Sequence, residues 1–465
     1  MVWKGLFEAL AEGDALVLVY SHTLPLARRV KEVLEERLPD GANAALVDWH
    51  RERELALRLA FYPPRILVVR DDLSYHPLDH ISPMELPGAL GDAVSEDGFI
   101  SMGEELGPSW RGVTDAVLQE LVKNLLFFYD PYNAGFGYAP KFVNSFALEA
   151  ALSFWLLERD IRARKMVEET LELILSSPMN RDFAVSTFSF SPDWREPSGE
   201  HTVENQALLS RVLFMAARTL PKREYLKKGM GLLEAAFDME VMAPREAFAL
   251  AEACAIAYQV FEDKSLLDRA EALLEDNAPS TYLGDHTARA RALLELFYAT
   301  GKSSRLEEAA ELVREIFSRY ADEEGALRDT TLHLPKRFGV RENAEAVEVA
   351  LKVAYLTEDD ALREKATFTL GRIAKKGVDV GILGLSLFVP AALALYGPIA
   401  VKLRGRDPEM LLCAFTMLNP LRIIKHLPAE KPSAQLCFAD KCYPETSNPN
   451  QLRDHIVSLT ISGLL

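Results

Sequence analysis

Cysteine is scarce in this chain of 465 residues: four occur, and none before Cys254. That excludes a small disulfide-stapled scaffold. It also removes thiol exchange from the N-terminal half, because exchange needs a thiolate and a resolving thiol. Positive charge is in deficit, with 52 Lys and Arg against 69 Asp and Glu and a formal net charge of −17. Neither a nucleic-acid backbone nor an anionic membrane is therefore expected as a partner. Long apolar runs are missing as well. The most apolar stretch, residues 378–401, is broken by Asp379, Gly381, Gly384, Pro390, Gly397 and Pro398, and reads as a buried helix and strand, not a membrane span. The first residues, MVWKGLFEALAEGD, carry acids early and lack the apolar core of a signal peptide, so a cytoplasmic protein is expected. No phosphate loop occurs, since Gly135-Phe136-Gly137 has no GK[ST] after it. Cys437 and Cys442 could bind metal with other ligands, but no second Cys pair or neighbouring His supports a zinc site, and neither metal nor cofactor is expected.

What is present is an ordinary globular composition, 49% hydrophobic and 26% charged. The length suggests roughly three domains. Over residues 1–95 short apolar strands (15–20, 44–47, 66–69) alternate with helices (26–38, 52–60), and Pro63-Pro64 stands before the third strand, where a missing N–H is tolerated. Pro64 is a candidate cis proline. This is the order of a thioredoxin-like domain. Its active loop would follow the first strand, and here it reads Tyr20-Ser21-His22-Thr23-Leu24-Pro25-Leu26. Without cysteine the domain is redox-inactive, kept for packing or docking; His22 and Thr23 as a different reactive pair is the alternative.

The middle of the chain repeats. Four segments share an apolar helix, a polar turn and a leucine in the next helix, with Leu226, Leu267, Leu306 and Leu362 spaced 41, 39 and 56 residues apart. A fifth copy starts at Phe154 without that leucine. Such repeats are helix pairs stacked side by side. The pattern predicts hairpins over 145–158 with 162–176, 203–219 with 223–237, 245–261 with 264–275, 284–300 with 304–320, and 343–357 with 360–375. Lone helices are expected at 114–128 and 382–396. Pairing the lone helices closes the array, so an (α/α)6 six-hairpin toroid over 110–397 is expected, lined by the more apolar first helices. Residues 398–465 read as a small α/β segment, with strands at 399–403, 422–426 and 434–438 and helices at 408–418 and near 451–458. The fold class is thus multidomain α/β plus all-α. Cys254 and Cys413 fall in apolar helices, and Cys437 and Cys442 read as free thiols, with a disulfide as the alternative.

The stretch from Asp130 to Val143, DPYNAGFGYAPKFV, resembles a signature of the thioredoxin-domain proteins related to spermatogenesis-associated protein 20. Asp130, Gly135, Phe136, Gly137, Pro140, Lys141 and Phe142 match it, and Ala134 replaces a glycine. Tyr20-Ser21 matches the family's residues before Cys-x-x-Cys, with Thr23 and Leu26 where the cysteines would stand. Val47-Asp48 with Arg51-Glu52-Arg53, the run from Val203 to Leu209, Leu283-Gly284-Asp285-His286, and Cys437 with Cys442 follow in the family's order. The resemblance spans nearly the whole chain. It implies a thioredoxin-like domain fused to a toroid similar to that of N-acylglucosamine 2-epimerases. It implies no settled reaction, and fold alone supplies none.

Toroids of this kind hold ligands in a central funnel at one set of helix ends, where free N–H groups and polar side chains gather. The candidates stand before or at the starts of the inner helices. Glu204, His201, Asp285 and His286 are candidate acid/base residues. Asp130, Tyr138, Lys141, Trp194, Glu200, Asn205, Glu342 and Asn343 are candidate binding residues for a carbohydrate-like molecule. An epimerase needs a pair of bases, commonly His; a hydrolase needs two carboxylates about 5–9.5 Å apart. Asp285 and Asn343 also read as N-caps, Lys141 as the partner of an acid, and the two histidines as merely hydrogen-bonded. The insert 179–200 reads as a hairpin beside the funnel. Three functions compete: a carbohydrate-binding or carbohydrate-transforming enzyme of epimerase, isomerase or hydrolase type; a scaffold whose N-terminal domain docks a protein partner; and, last, a thiol oxidoreductase. An open funnel lined by polar groups and rings would favour the first, and a funnel filled by apolar side chains the second.

Overall fold

A computed structural model describes residues 3–38, 41–60, 63–78, 99–104, 106, 115–439 and 441–462. The boundary expected near residue 95 and the ring start at 110 lie outside them.

Strands β1 (Ala15–Tyr20), β2 (Ala44–Asp48), β3 (Arg65–Val69), β4 (Ser74–Pro77) and β5 (Ile100–Ser101) make one sheet in the order β2-β1-β3-β4-β5. β1 runs parallel to β2, with Val17 beside Ala45, and antiparallel to β3, with Val17 beside Leu67. Alternation splits the apolar residues between two cores. Val17, Val19, Val47 and Leu67 pack with Leu6 and Ala9 of α1 (Leu6–Leu10) and Leu55 and Leu59 of α3 (Arg53–Leu59). Leu16, Leu18, Ile66 and Val68 pack with Leu34 of α2 (Pro25–Arg37). A sheet covered on both faces explains why β1 is apolar throughout. Two strands escape the sequence reading: β4 has four residues ending in proline and β5 only two, too short for a period. The Pro63–Pro64 bond is cis.

The ring follows. Its helices are α4 (Asp115–Phe128), α5 (Ser145–Glu158), α6 (Ile161–Ser176), α7 (Val203–Thr219), α8 (Glu224–Phe237), α9 (Pro244–Phe261), α10 (Lys264–Glu275), α11 (Leu283–Thr300), α12 (Ser303–Arg319), α13 (Val340–Thr357), α14 (Asp360–Asp379) and α15 (Phe388–Tyr396). Helices α5, α7, α9, α11, α13 and α15 each pack on the next, and α15 packs back on α5. That closes an inner ring of six, backed by α6, α8, α10, α12, α14 and α4. Three of the polar turns between paired helices share one chemistry. Arg159, Glu262 and Glu358 take left-handed backbone at the end of an inner helix, and the following Asp160, Asp263 and Asp359 each accept a backbone N–H of the next helix. The last inner element differs from the expected single helix. Gly381–Leu387 is a 3-10 helix leading into α15. Gly384 lies so close to Gly377 of α14 that an added Cβ would sit 1.8 Å from its carbonyl oxygen, and this contact draws the turn tight.

Four short strands, β6 (Lys141–Phe142), β7 (Asn180–Arg181), β8 (Ala184–Val185) and β9 (Phe188–Ser189), lie in the loops before α5 and α7. The last segment closes the far end of the ring. β10 (Ile399–Arg404), β11 (Arg422–Leu427), β12 (Ser433–Phe438) and β13 (Lys441–Cys442) form a sheet in the order β11-β10-β12-β13, with α16 (Pro408–Phe415) and α17 (Pro449–Ser462). α16 stops three residues before the expected end, where Asn419 turns the chain by accepting the Leu421 N–H at 3.0 Å. Arg422 is fully buried and donates to Gln259 at 2.7 Å and Glu295 at 2.6 Å, pinning the sheet to α9 and α11. The free-thiol expectation for Cys437 and Cys442 is corrected: they face each other across the β12–β13 ladder and form a disulfide. Cys254 and Cys413 are buried and free. Among the described residues no helix is long and apolar enough to cross a membrane, and no cluster of three metal-ligating side chains occurs.

Candidate active site

At the N-terminal ends of the inner helices lies a cavity of about 320 Å³. Its walls come from two distant parts of the chain. The ring supplies the starts of α5, α7, α9 and α13 and the 3-10 turn. The N-terminal unit supplies Trp49, His50, Arg53, Leu57 and Ala60, laid across the mouth.

The seam between the two is polar and buried. Ser21 Oγ and Thr23 Oγ1 donate to Glu200 Oε1 at 3.0 and 3.1 Å. His50 Nε2 lies 3.1 Å from Ser21 Oγ and 3.3 Å from Thr23 Oγ1. The other ring nitrogen of His50 lies 3.9 Å from Glu246 Oε1, while Nε2 is 3.9 Å from Glu200 Oε1. Arg58 adds a buried ion pair to Asp329 at 2.6 Å. The hydroxyls of Ser21 and Thr23 therefore face into the ring, not out to solvent.

Burial sets the protonation of this pair. It pushes the Glu246 carboxyl up to about 7, reinforced by the charge on Glu204 and opposed by the Met242 N–H that Glu246 accepts. Burial, followed by Arg53, drives the His50 imidazole down to about 4, so it is neutral at pH 7. Desolvation disfavours the charged form of each group.

Below the pair, charges alternate around the inner ring. Glu204 accepts from Arg245 at 2.7 Å and Arg341 at 2.8 Å. Burial opposes its ionisation, but the two guanidiniums hold the carboxyl below the usual carboxylate range. Glu345 accepts from the same two arginines. Arg211 pairs with Glu149 and, at 2.7 Å, with Glu252, which also accepts from Arg291 at 3.1 Å. Burial carries Glu252 up to about 7 despite Arg211. Each such ion is tolerated inside because a partner compensates its desolvation.

Of the residues singled out from sequence, Glu200, Glu204, Asn205 and Glu342 line the cavity. Glu342 accepts from Tyr282 Oη at 2.5 Å, and Asn205 donates to the Val185 carbonyl at 3.3 Å. The others lie elsewhere. Asp130 and Lys141 form a buried ion pair at 2.8 Å, with the Lys141 ammonium 5.3 Å from the Trp194 ring centre. Trp194 is wholly buried and donates to the Asn133 carbonyl at 3.0 Å. These three residues organise the Gly-rich loop. Tyr138 is exposed. His201 lies 3.4 Å from Ser186 Oγ. Asp285 accepts the Ser280 N–H at 3.0 Å, and His286 lies 3.0 Å from the Ser280 carbonyl. Asn343, fully buried, clasps Leu327 through its N–H and carbonyl at 2.9 and 2.8 Å. Asp285 and Asn343 do not cap their helices, because α11 and α13 start earlier, after Tyr282 and Gly339. The insert 179–200 contains the hairpin β7 (Asn180–Arg181) with β8 (Ala184–Val185), and its Phe188–Ser189 strand pairs with Lys141–Phe142.

Sequence reasoning missed His50, Glu246 and the inner arginines. His50 has no local signal, since Ser21 and Thr23 lie on another strand end and Glu200 and Glu246 lie 150 or more residues away. The inner ions did leave one: Glu149 in ALEAALSF, Arg211 in LLSRVLF and Glu252 in LAEACAI each interrupt an apolar helix with a single charge.

The chain matches no protein-family model and no curated protein. Solved structures do resemble it. A sugar epimerase from a ruminal bacterium is 14% identical, with a TM-score of 0.48 over 56% of this chain and 86% of that one. The cellobiose 2-epimerase of Bacillus thermoamylovorans B4167 is 11% identical, with a TM-score of 0.47 over 57% and 88%. The GH76 α-mannanase BT2949 of Bacteroides thetaiotaomicron is 12% identical, with a TM-score of 0.49 over 60% and 95%.

Proposed function

We propose that the cavity binds a carbohydrate-like small molecule and moves a proton on it, as an isomerase or epimerase does. The observation that carries this reading is the meeting of Glu246 and His50 inside the cavity, 3.9 Å apart. A carboxyl that titrates near neutrality is matched to proton transfer at physiological pH. In this reading the Glu246 carboxylate takes the proton from the carbon beside the carbonyl of an open-chain sugar. The C–H electron pair becomes the C=C of an enediol, and the carbonyl oxygen gathers the charge. The proton of the adjacent hydroxyl passes to that charged oxygen, protonated Glu246 returns its proton to the former carbonyl carbon, and the carbon it first deprotonated becomes the new carbonyl, giving an isomer with no oxidant or reductant consumed. Return to the opposite face of the first carbon, with His50 carrying the proton, gives an epimer.

Glycoside hydrolysis is the weaker reading. It needs two carboxylates free to flank one bond, whereas Glu149, Glu204, Glu252 and Glu345 are each taken by arginine. Among the candidates from sequence, Glu204 positions the arginines, Asn205 and Glu342 bind hydroxyl groups, and Glu200 holds the seam. The remaining candidates act by shaping the fold.

The N-terminal unit is proposed to be thioredoxin-like and related to the family named above. The strand order, with β1 parallel to β2 and antiparallel to β3, supports this. Its role is that of a lid. Ser21 is fully buried, so docking a separate protein on that loop is disfavoured.

The test is a thermal-shift screen of the full chain with D-mannose, D-glucose, N-acetylglucosamine and cellobiose, followed by proton NMR of any stabilising sugar in D2O. Deuterium entering the carbon beside the carbonyl, lost in Glu246→Gln while binding persists, is the expected result. Stabilisation by no sugar, neutral or anionic, sinks the proposal.

A further inference from the structure

Four arginines of the inner helices are matched. Arg211, Arg245, Arg291 and Arg341 each meet a carboxylate within about 3 Å. The cavity carboxylates are matched as well: Glu342 accepts from Tyr282, Glu246 from the Met242 N–H, and Glu200 from Ser21. Two cations are not. Arg53, opening α3 of the lid, and Arg337, in the segment before α13, both line the cavity. Among the described residues neither makes an ion pair or a side-chain hydrogen bond. The Arg53 guanidinium lies 4.4 Å over the Trp49 ring. Stacking occupies its face and leaves the in-plane N–H edge open, the edge with which a guanidinium grips an oxyanion.

From this we propose that the ligand carries an oxyanion, a carboxylate or phosphate on a sugar frame, received by Arg53 and Arg337. The inference rests on the carbohydrate reading of the cavity and narrows it. A guanidinium has only donors to offer. The charges of Glu204 and Glu246 reach Arg53, and that of Asp329 reaches Arg337, without contact, so a neutral sugar would leave both guanidiniums without a directly bound anion. An oxyanion held between a lid arginine and a ring arginine also ties the lid to the ring, so binding and closure are coupled. The size agrees. A cavity of about 320 Å³ stands at the small end of ligand pockets, roughly 300–1,000 Å³, and accommodates one sugar ring with its anionic group better than a chain of sugars.

The test is isothermal titration of the full-length protein with D-glucuronate, D-glucose 6-phosphate and D-glucose, in the wild type and in Arg53→Gln and Arg337→Gln. At least one anionic sugar should bind tenfold or more tightly than glucose. Each Gln variant should weaken that sugar by about 10- to 100-fold and leave glucose nearly unaffected. Which anionic sugar binds decides between carboxylate and phosphate. If a Gln variant fails to fold, Arg53→Lys and Arg337→Lys keep the charge, lose the two-pronged geometry and should weaken the same sugar by less. Glucose binding as tightly as both anionic sugars, with every variant unchanged, would overturn the oxyanion and leave the carbohydrate reading standing. Binding of none of the three sugars, with D-mannose, N-acetylglucosamine and cellobiose also inert, would overturn both.

Discussion

Ser21 Oγ, at the end of the first strand, donates to Glu200 Oε1 at 3.0 Å across 179 residues of sequence. The same carboxylate oxygen accepts from Thr23, so one buried acid holds the lid loop to the ring. Glu200→Ala should leave both hydroxyls and His50 short of a partner, at a cost of about 2–4 kcal/mol. Hydrogen exchange should quicken in β1 and α2 and stay slow in α7 and α9. Unchanged exchange in β1 would show that other contacts hold the lid.

The titration of Glu246 and His50 predicts opposite pH signatures. Glu246 keeps its proton in the folded state up to about 7, whereas the unfolded chain loses it near 4.5. Stability therefore falls as pH rises through that window, by on the order of 3 kcal/mol. Glu246→Gln should remove the fall and stabilise the protein at pH 8. His50 stays neutral down to about 4 from an ordinary 6.5; its contribution is lost as pH falls between those values, and His50→Gln should flatten that limb. Urea unfolding at five or six pH values measures both slopes.

Arg211 lies between Glu149 and Glu252. Arg211→Met should strand two buried carboxylates and cost about 3–5 kcal/mol. Replacing all three residues by apolar ones should recover much of that loss. Equal losses in the single and triple variants, read from urea unfolding midpoints, would count against the charge explanation.

Gly135 has a φ of +90° and faces Trp194, where an added Cβ would come within 2.5 Å of the indole ring. Gly135→Ala should combine backbone strain with overpacking and cost about 2–4 kcal/mol, lowering the thermal midpoint. Its neighbour Gly137 has the same backbone sign but meets only the flexible end of Ile382, and Gly137→Ala should cost less.

The helices of the ring were legible because three of the pairs announce themselves locally and the others share their spacing. An apolar run, a turn residue suited to left-handed backbone and an aspartate that caps the next helix recur four to five residues around Asp160, Asp263 and Asp359. Three of the five lid strands were legible as short apolar runs, Ala15–Tyr20 to the residue, while β4 and β5 were too short to show a period. The site was legible only in part. Glu200, Glu204, Asn205 and Glu342 stand near helix starts, where polar residues are expected to gather, and they line the cavity. Asp130, Asp285 and Asn343 stand at similar places but turn to hold loops, a choice made by side-chain direction that no spacing reveals. His50 was illegible because its role depends on how two units of the chain meet.

The cavity belongs to neither unit alone: Trp49, His50 and Arg53 come from one, Glu204 and Glu246 from the other. A gene fusion that swapped the first hundred residues for another copy of the same fold would keep both architectures and erase the pocket. Substitutions on the two sides of the seam must therefore be inherited together, and the chain evolves here as one unit of selection despite its modular build.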